Sequence, residues 1–138
     1  MTSPIEYVET LAQALDSDDY ATAESVMSVD VEYVIGNKTL IGPQAIVASY
    51  KTASEMAHLI FDAVAYDHDI VSSDDPTFFR IDYSDILTID DETLTHMAVQ
   101  HVRAKPRRGV VHITNVDVPG ERERVDALLE RHGRSRDG

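Results

Sequence analysis

The hydrophobic pattern of this chain changes its period part-way along, and this change restricts the folds that the chain can adopt. In the segment PIEYVETLAQALD, apolar residues such as Ile5, Val8 and Leu11 recur at the spacing of an α-helix. After position 57 the chain is rich in β-branched and aromatic residues, in runs divided by turn-forming clusters. Helices followed by a series of long strands predict an α+β fold with an antiparallel sheet. The predicted strand runs are residues 58–72, 77–89, 93–105 and 110–118.

Four helices and a short hairpin complete the predicted organisation. Pro4 suits the first turn of the first helix, and Gly133 suits the end of the last one. The segment VEYVIGNKTLIG is typical of a hairpin that turns at its GNK residues. We expect one domain over residues 1–133 and a flexible C-terminal tail at residues 134–138. The predicted helices span residues 4–16, 20–27, 43–57 and 121–133.

Charge and composition exclude several classes of partner. A net charge of −13 argues against nucleic acid, because phosphate binding needs clustered lysine and arginine. No run of apolar residues is long enough to span a membrane, so no membrane partner is expected. The start of the chain lacks the pattern of a signal peptide, which predicts a cytoplasmic protein. Without cysteine there is no disulfide framework and no thiolate zinc site.

Three stretches are reminiscent of metal sites, and we predict that none of them binds a metal. DSDD at 16–19 begins like a calcium loop but lacks that loop's glycine and final glutamate. His101 and His112 are predicted to share a sheet face, but an arginine lies directly beside His112 and opposes a cation. In YDHDI, strand alternation places His68 on one face and its neighbouring aspartates on the other. No cofactor is expected either.

Hairpin geometry predicts which side chains of the last strands lie together. A tip at Arg107-Arg108 places Gln100 opposite Asn115. In the preceding hairpin, a tip at Asp91-Glu92 places Asp85 opposite Ala98, whereas a tip at Asp90-Asp91 places it opposite a histidine, His96. Both alternatives keep the same side chains on the same face, because both loops have two residues.

One face of the predicted sheet gathers polar side chains at one end of an apolar wall. Tyr83, Asp85, His96, Gln100 and Asn115 share this face. A few convergent polar groups beside apolar residues are typical of small-molecule sites. The sequence therefore predicts a pocket on this face, and a β-bulge in either hairpin would reverse part of the assignment.

The whole pattern resembles the SnoaL-like, ketosteroid-isomerase-like superfamily, to which nuclear transport factor 2 also belongs. The resemblance rests on two N-terminal helices, a hairpin that ends in IGPQAI, a third helix, a long-stranded sheet and the terminal VDVPGERERVDALLERHG. It covers nearly the whole chain and implies a cone-shaped, curved antiparallel sheet that wraps around the N-terminal helices and encloses a pocket. It also implies a homodimer.

The resemblance carries over to single residues only in part. Gln100 falls where the isomerases have an oxyanion-binding carboxylic acid, and its amide can donate a hydrogen bond in the same way. Tyr33 stands where their general-base aspartate is expected, and Leu11 stands where their helical tyrosine is expected. Steroid isomerisation by the usual route is therefore not expected. Asp85 matches the single buried aspartate that serves as acid and base in SnoaL-type cyclases.

These observations predict the roles of seven residues. Asp85 is the candidate acid or base, because an apolar pocket raises the pKa of a carboxyl group, and His96 is the candidate group that orients or protonates it. The candidate ligand-binding residues are Tyr83, Gln100, Asn115, Tyr33 and Tyr50. The expected ligand is a small apolar molecule, and the expected chemistry is of the isomerase, cyclase or hydratase type.

Each role has a structural alternative. Asp85 fits equally a salt bridge at the edge of the sheet. Gln100 and Asn115 fit a pair that satisfies each other in the core. The chain as a whole fits a non-catalytic ligand-binding or dimerisation module, since a fold does not determine a function.

Overall fold

Four helices and six strands make up residues 2–136, the part of the chain that this computed structural model describes. The helices are α1 (Pro4–Asp16), α2 (Tyr20–Ser25), α3 (Pro43–Ile60) and α4 (Glu121–Arg131). The strands are β1 (Met27–Ile35), β2 (Lys38–Ile41), β3 (Ala63–Ser72), β4 (Phe78–Ile89), β5 (Glu92–Lys105) and β6 (Gly109–Val116). The predicted α+β class is confirmed. None of the helices in the described part is long and apolar enough to cross a bilayer.

All six strands belong to one sheet with the order β2-β1-β6-β5-β4-β3. The predicted meander of β3 to β6 and the predicted hairpin of β1 and β2 are both antiparallel. The pair that joins them, β1 with β6, is parallel, so the sheet is mixed. Nothing local in the sequence indicates this pairing, because its two strands are separated by most of the chain.

The hairpin of β4 and β5 turns at Asp90-Asp91, with Ile89 opposite Glu92. This selects one of the two predicted tips and places Asp85 directly opposite His96. Asp90 has a φ of 52°, in the left-handed region that aspartate tolerates better than most residues. The turn therefore fixes the neighbours of the candidate acid.

The hairpin of β5 and β6 departs from the predicted geometry at its tip. Lys105 pairs with Gly109, so the loop has three residues rather than two. A bulge follows at once, because Arg103 pairs with His112 whereas Ala104 pairs with Val110. The longer loop and the bulge each shift the register by one residue in opposite directions. Further along the strands, the predicted pairing is consequently found.

Three predicted helix boundaries are wrong. The last helix ends at Arg131 rather than at residue 133, and for the second and third helices tertiary packing explains the difference. The second helix does not reach Met27, which begins β1 and pairs with Val110 of β6. The third helix extends past the predicted end and includes His58, since Ala57 and Ile60 lie one turn apart and pack against the same buried cluster. In both cases the packing of apolar side chains, rather than local sequence preference, determines where the helix ends.

Two buried clusters hold the helices against the sheet. The larger cluster joins α1, α3 and the sheet interior through residues such as Leu11, Ile46, Ile81 and Ile113. The smaller cluster seats α4 on the ends of β4 and α3, and it consists of Phe61, Leu87, Ile89, Val125, Leu128 and Leu129. A space remains between α1, α3 and the sheet, beside the larger cluster.

Polar contacts fasten the end of α4 to the β4–β5 turn. Nδ1 of His132 lies 2.8 Å from Asp90 and its Nε2 lies 2.9 Å from Glu92. Arg134, in the predicted tail, donates to the carbonyl oxygen of Ile60 at 2.9 Å. Residues 137–138 of that tail lie outside the described residues, and its flexibility stays a prediction.

The His132 contacts are expected to make stability depend on pH. The hydrogen bonds to Glu92 and then to Asp90 raise the pKa of His132 above its ordinary value of 6.5. A raised pKa in the folded state stabilises the fold fully below the unfolded pKa, and this stabilisation disappears as pH rises through the folded pKa. Melting temperatures at about pH 6 and about pH 9 test this, with His132→Gln as reference. The melting temperature of the wild type should exceed that of the variant by more at the lower pH than at the higher one. An equal difference at both pH values would contradict the prediction.

Candidate functional site

A cavity of about 250 Å³ lies between the end of α1, α3 and the inner face of the sheet. Six of the seven candidate residues line it: Tyr33, Tyr50, Tyr83, Asp85, Gln100 and Asn115. Strand alternation explains this convergence, because residues two apart on β4, β5 and β6 face the same side. The cavity has an apolar wall that includes Leu15, Ala53 and Leu87. Both features of the predicted pocket, its position and its mixed lining, are therefore present.

The seventh candidate, His96, is not among the lining residues but contacts Asp85 from the neighbouring strand. Its Nδ1 lies 3.2 Å from Oδ2 of Asp85, and both side chains are about three-quarters buried. The contact follows from their direct pairing across β4 and β5. Asp85 thus lies in the cavity wall and has a partner that can orient it. The same contact with His96 also fits the structural alternative, in which Asp85 only forms a salt bridge.

Gln100 is the centre of a polar network at the base of the cavity. Its amide nitrogen donates to Tyr33 Oη at 2.9 Å, and its amide oxygen accepts from Tyr50 Oη at 2.8 Å. The two tyrosine rings stack with their centroids 5.4 Å apart. Burial raises the pKa of Tyr33 to about 12, so its hydroxyl stays neutral. The amide is thus satisfied by tyrosines rather than by Asn115, its neighbour across the strands.

Asp16 is a lining residue that the sequence pattern did not identify. Its Oδ2 lies 2.5 Å from Nδ1 of His68 on β3, and its Oδ1 is buried with no hydrogen-bond partner within residues 2–136. Burial raises the pKa of Asp16 above its usual range, although the bond to His68 opposes the rise. A signal was available, because Val8, Ala12 and Asp16 recur every four residues along one helix face and the first two are fully buried.

Tyr83 projects from β4 towards Asp16 and Asp85. Its hydroxyl is buried and has no hydrogen-bond partner in the described part of the chain. Burial raises the pKa of Tyr83 far above its ordinary value, and the charges of Asp16 and Asp85 add to the rise. The phenol is therefore neutral and has an unused donor and acceptor beside two carboxyl groups.

A second polar network closes the outer end of the cavity. Asp18 accepts from Tyr20 Oη at 2.8 Å and from Ser54 Oγ at 2.9 Å, and the Ser54 oxygen lies 2.9 Å from Tyr66 Oη. Asp18 adopts a φ of 52° between α1 and α2, which turns the chain so that its carboxyl group reaches α3. Asp18, Tyr20, Ser54 and Tyr66 all line the cavity, and the sequence analysis missed all four.

One acidic group lies closer to His68 than strand alternation predicts. Ligand atoms of Asp16, Asp67 and His68 all lie within 4.8 Å of one another. Asp67 turns back along β3, the edge strand, and accepts from the backbone of His68 at 2.9 Å. The prediction that this histidine and its flanking aspartates stay apart is therefore wrong for Asp67. Since Asp67 is exposed and Asp16 already contacts His68, the arrangement carries no metal assignment.

Solved structures match this architecture along most of the chain. A protein of Mycobacterium tuberculosis, RV0760c, in complex with estradiol-17β-hemisuccinate, matches with a TM-score of 0.65 at 12% identity, over 87% of this chain and 98% of that one. An NTF2-like protein of unknown function from Burkholderia pseudomallei gives a TM-score of 0.66 at 14% identity, over 90% and 97%. A candidate SnoaL-like polyketide cyclase from Shewanella denitrificans gives 0.64 at 12% identity, over 88% and 94%.

The chain has the SnoaL-like, NTF2-like fold. The fold that the resemblance implied, a cone-shaped α+β architecture, is thereby confirmed. No protein-family profile matches the sequence, and no curated protein matches it significantly. In the NTF2-like fold of this chain, the cavity with Asp85 lies between the helices and the inner face of the sheet.

Proposed function

We propose that the protein binds a small lipophilic molecule in the cavity and moves a proton on it with Asp85. The observation that supports this best is the position of Asp85, in the lining of a cavity that also has an apolar wall, and hydrogen-bonded to His96. A histidine that holds one carboxylate oxygen orients the other, which can accept or return a proton on a bound molecule. The structure of RV0760c in complex with estradiol-17β-hemisuccinate, and a computationally designed 17-OHP binder with a similar fold, support the proposal of lipophilic binding.

Tyr83 supplies the complementary group in this proposal. Its neutral hydroxyl is buried without a partner among the described residues, so it can donate to an oxygen of the ligand on which negative charge develops. A carboxylate that takes a proton and a phenol that stabilises the resulting oxyanion suit an isomerase, cyclase or hydratase reaction. Asn115 lines the same cavity and is proposed to bind the ligand.

A non-catalytic binding protein is the second candidate, and the Gln100 network favours it. Gln100, Tyr33 and Tyr50 satisfy one another, so three proposed ligand-binding groups already have partners without a ligand. In that case the cavity contributes only shape and apolar contact.

We also propose the cytoplasmic homodimer that the sequence predicts. Exposed Val29 and Ile41 on neighbouring strands suit such a contact, and sedimentation as a monomer would contradict it.

A thermal-shift screen tests the binding proposal. The panel contains steroids, terpene epoxides, polyketide-like aromatics and fatty acids. A ligand at about a hundred times its dissociation constant stabilises a protein by about 2.7 kcal/mol, which should raise the melting temperature by roughly 5 to 10 °C. No shift with any member of the panel would contradict ligand binding in the cavity.

The catalytic part is tested by Asp85→Asn, with Asp69→Asn as the matched control. Asp69 is an exposed aspartate of β3. Asp85→Asn should lower the turnover of a compound found in the screen by about 10²- to 10⁴-fold, the usual contribution of a general acid or base, while binding is retained. Asp69→Asn should leave both unchanged. Unaltered turnover in Asp85→Asn would show that Asp85 is not the acid or base.

A further inference from the structure

The ionisable groups that line the cavity are acids and phenols. Asp16, Asp18 and Asp85 line it, and within residues 2–136 no lysine or arginine does. His68, His58 and His96 approach these three carboxyl groups, but none of the histidines lines the cavity. The electrostatic potential inside the cavity therefore favours a positive charge, in a protein whose net charge is −13.

The aromatic lining favours the same charge. Five of the six tyrosines of the chain line the cavity, on α2, α3, β1, β3 and β4. The face of an aromatic ring carries negative partial charge and attracts ammonium groups within about 6 Å, more strongly where water is excluded. A lining of tyrosines therefore suits an apolar body that ends in a cation.

Asp16 provides an acceptor that lacks a donor. Its Oδ2 is held by His68, and its Oδ1 is buried without a partner within the described chain. Leaving a buried charged acceptor unpaired costs free energy, which a ligand recovers when it supplies the missing N–H. The hydroxyl oxygen of Tyr83 is a second unused acceptor near Asp16. An ammonium group has three donors and can serve both.

We infer that the cavity selects lipophilic amines, with the ammonium group bound by Asp16 and Tyr83 and the apolar body among the tyrosines. This inference rests on the proposed binding function and specifies the charge of the ligand. The inference also excludes carboxylate ligands, because such a ligand would meet three acids and no cation among the described lining residues. Neutral alcohols should bind with intermediate affinity.

Three probes with the same bicyclic body test the inference by calorimetric titration: 2-(aminomethyl)naphthalene, 2-naphthalenemethanol and 2-naphthoate. The titrations are made at about pH 8, where the carboxyl group of 2-naphthoate, with an ordinary pKa, is ionised. The salt concentration is about 1 M, which shortens the screening length to about 3 Å and suppresses attraction to the outer surface. The amine should bind at least about 10-fold more tightly than the alcohol, as expected for a charge-assisted bond, and the carboxylate most weakly.

Two variants locate the effect. Asp16→Asn should weaken the binding of the amine by about 10-fold or more and should change the affinity for the alcohol by less than about 2-fold. Asp69→Asn should change neither affinity. An amine that binds no better than the alcohol, or that is unaffected by Asp16→Asn, would overturn the inference and leave lipophilic binding intact. Absence of binding by all three probes would overturn both. If Asp16→Asn does not fold, the ranking of the probes on the wild type decides the matter.

Discussion

Replacing Gly109 by alanine is expected to lower the free energy of unfolding by about 3 kcal/mol or more. Gly109 has a φ of 88°, and a Cβ atom there would lie 2.3 Å from the carbonyl oxygen of Val26. That oxygen also accepts from the amide of Val110 at 2.8 Å, so it cannot move away without losing a hydrogen bond. The left-handed backbone costs about 1–3 kcal/mol for a residue with a side chain, and the steric overlap adds a similar amount. Chemical denaturation measures the loss.

Gly120→Ala is the matched control for this prediction. Gly120 has nearly the same φ, 86°, but a Cβ atom there would meet nothing within 4 Å. Its substitution should therefore cost only the free energy of the left-handed backbone, about 1–3 kcal/mol, without the steric part. The difference between the two variants isolates the contact between the β5–β6 turn and the residue that precedes β1. Equal losses would show that this contact does not contribute to stability.

Replacing Gln100 by leucine is expected to destabilise the protein by about 2–5 kcal/mol. The amide is buried and joins Tyr33 to Tyr50, so leucine would remove one hydrogen bond from each of the two tyrosine hydroxyls. Each unsatisfied buried polar group costs about 1–3 kcal/mol. The volume of the side chain changes little, so packing contributes only a small part of the loss.

The triple variant Gln100→Leu, Tyr33→Phe, Tyr50→Phe provides the decisive comparison. Removing all the polar groups of a network at once leaves none of them unpaired, and such replacements are often nearly neutral. The triple variant should therefore recover most of the stability that Gln100→Leu loses, as measured by urea denaturation. If it is less stable than the single variant, the network does not act as the hydrogen-bonded unit described above.

The part of the site that the sequence predicts is the part that depends on local geometry. Asp85 and Gln100 reach the cavity because alternation along a strand decides which face each side chain takes. The position of His96 opposite Asp85 needed only the correct choice between two adjacent turns. Short-range rules were sufficient for these residues.

The remainder of the site depends on contacts between distant segments. Asp16 meets His68, and Asp18 meets Ser54, across elements whose relative placement no local pattern specifies. The four-residue spacing of Val8, Ala12 and Asp16 places Asp16 on the buried face of its helix, but it does not indicate that His68 is its partner. The fold was predictable because it follows the order of the elements, whereas these pairs follow from how the elements dock.

The parallel pairing of β1 with β6 has a consequence for how the chain acquires its structure during synthesis. Tyr33 of β1 pairs with Ile113, so one side of β1 has no partner strand until β6 has emerged from the ribosome. Until then β1 and β2 form a two-stranded hairpin that depends on packing against α3, because an isolated hairpin is only marginally stable in water. Contacts between segments so distant in sequence form slowly and leave strand edges exposed for longer. The nascent N-terminal third is accordingly the stretch most in need of protection from aggregation.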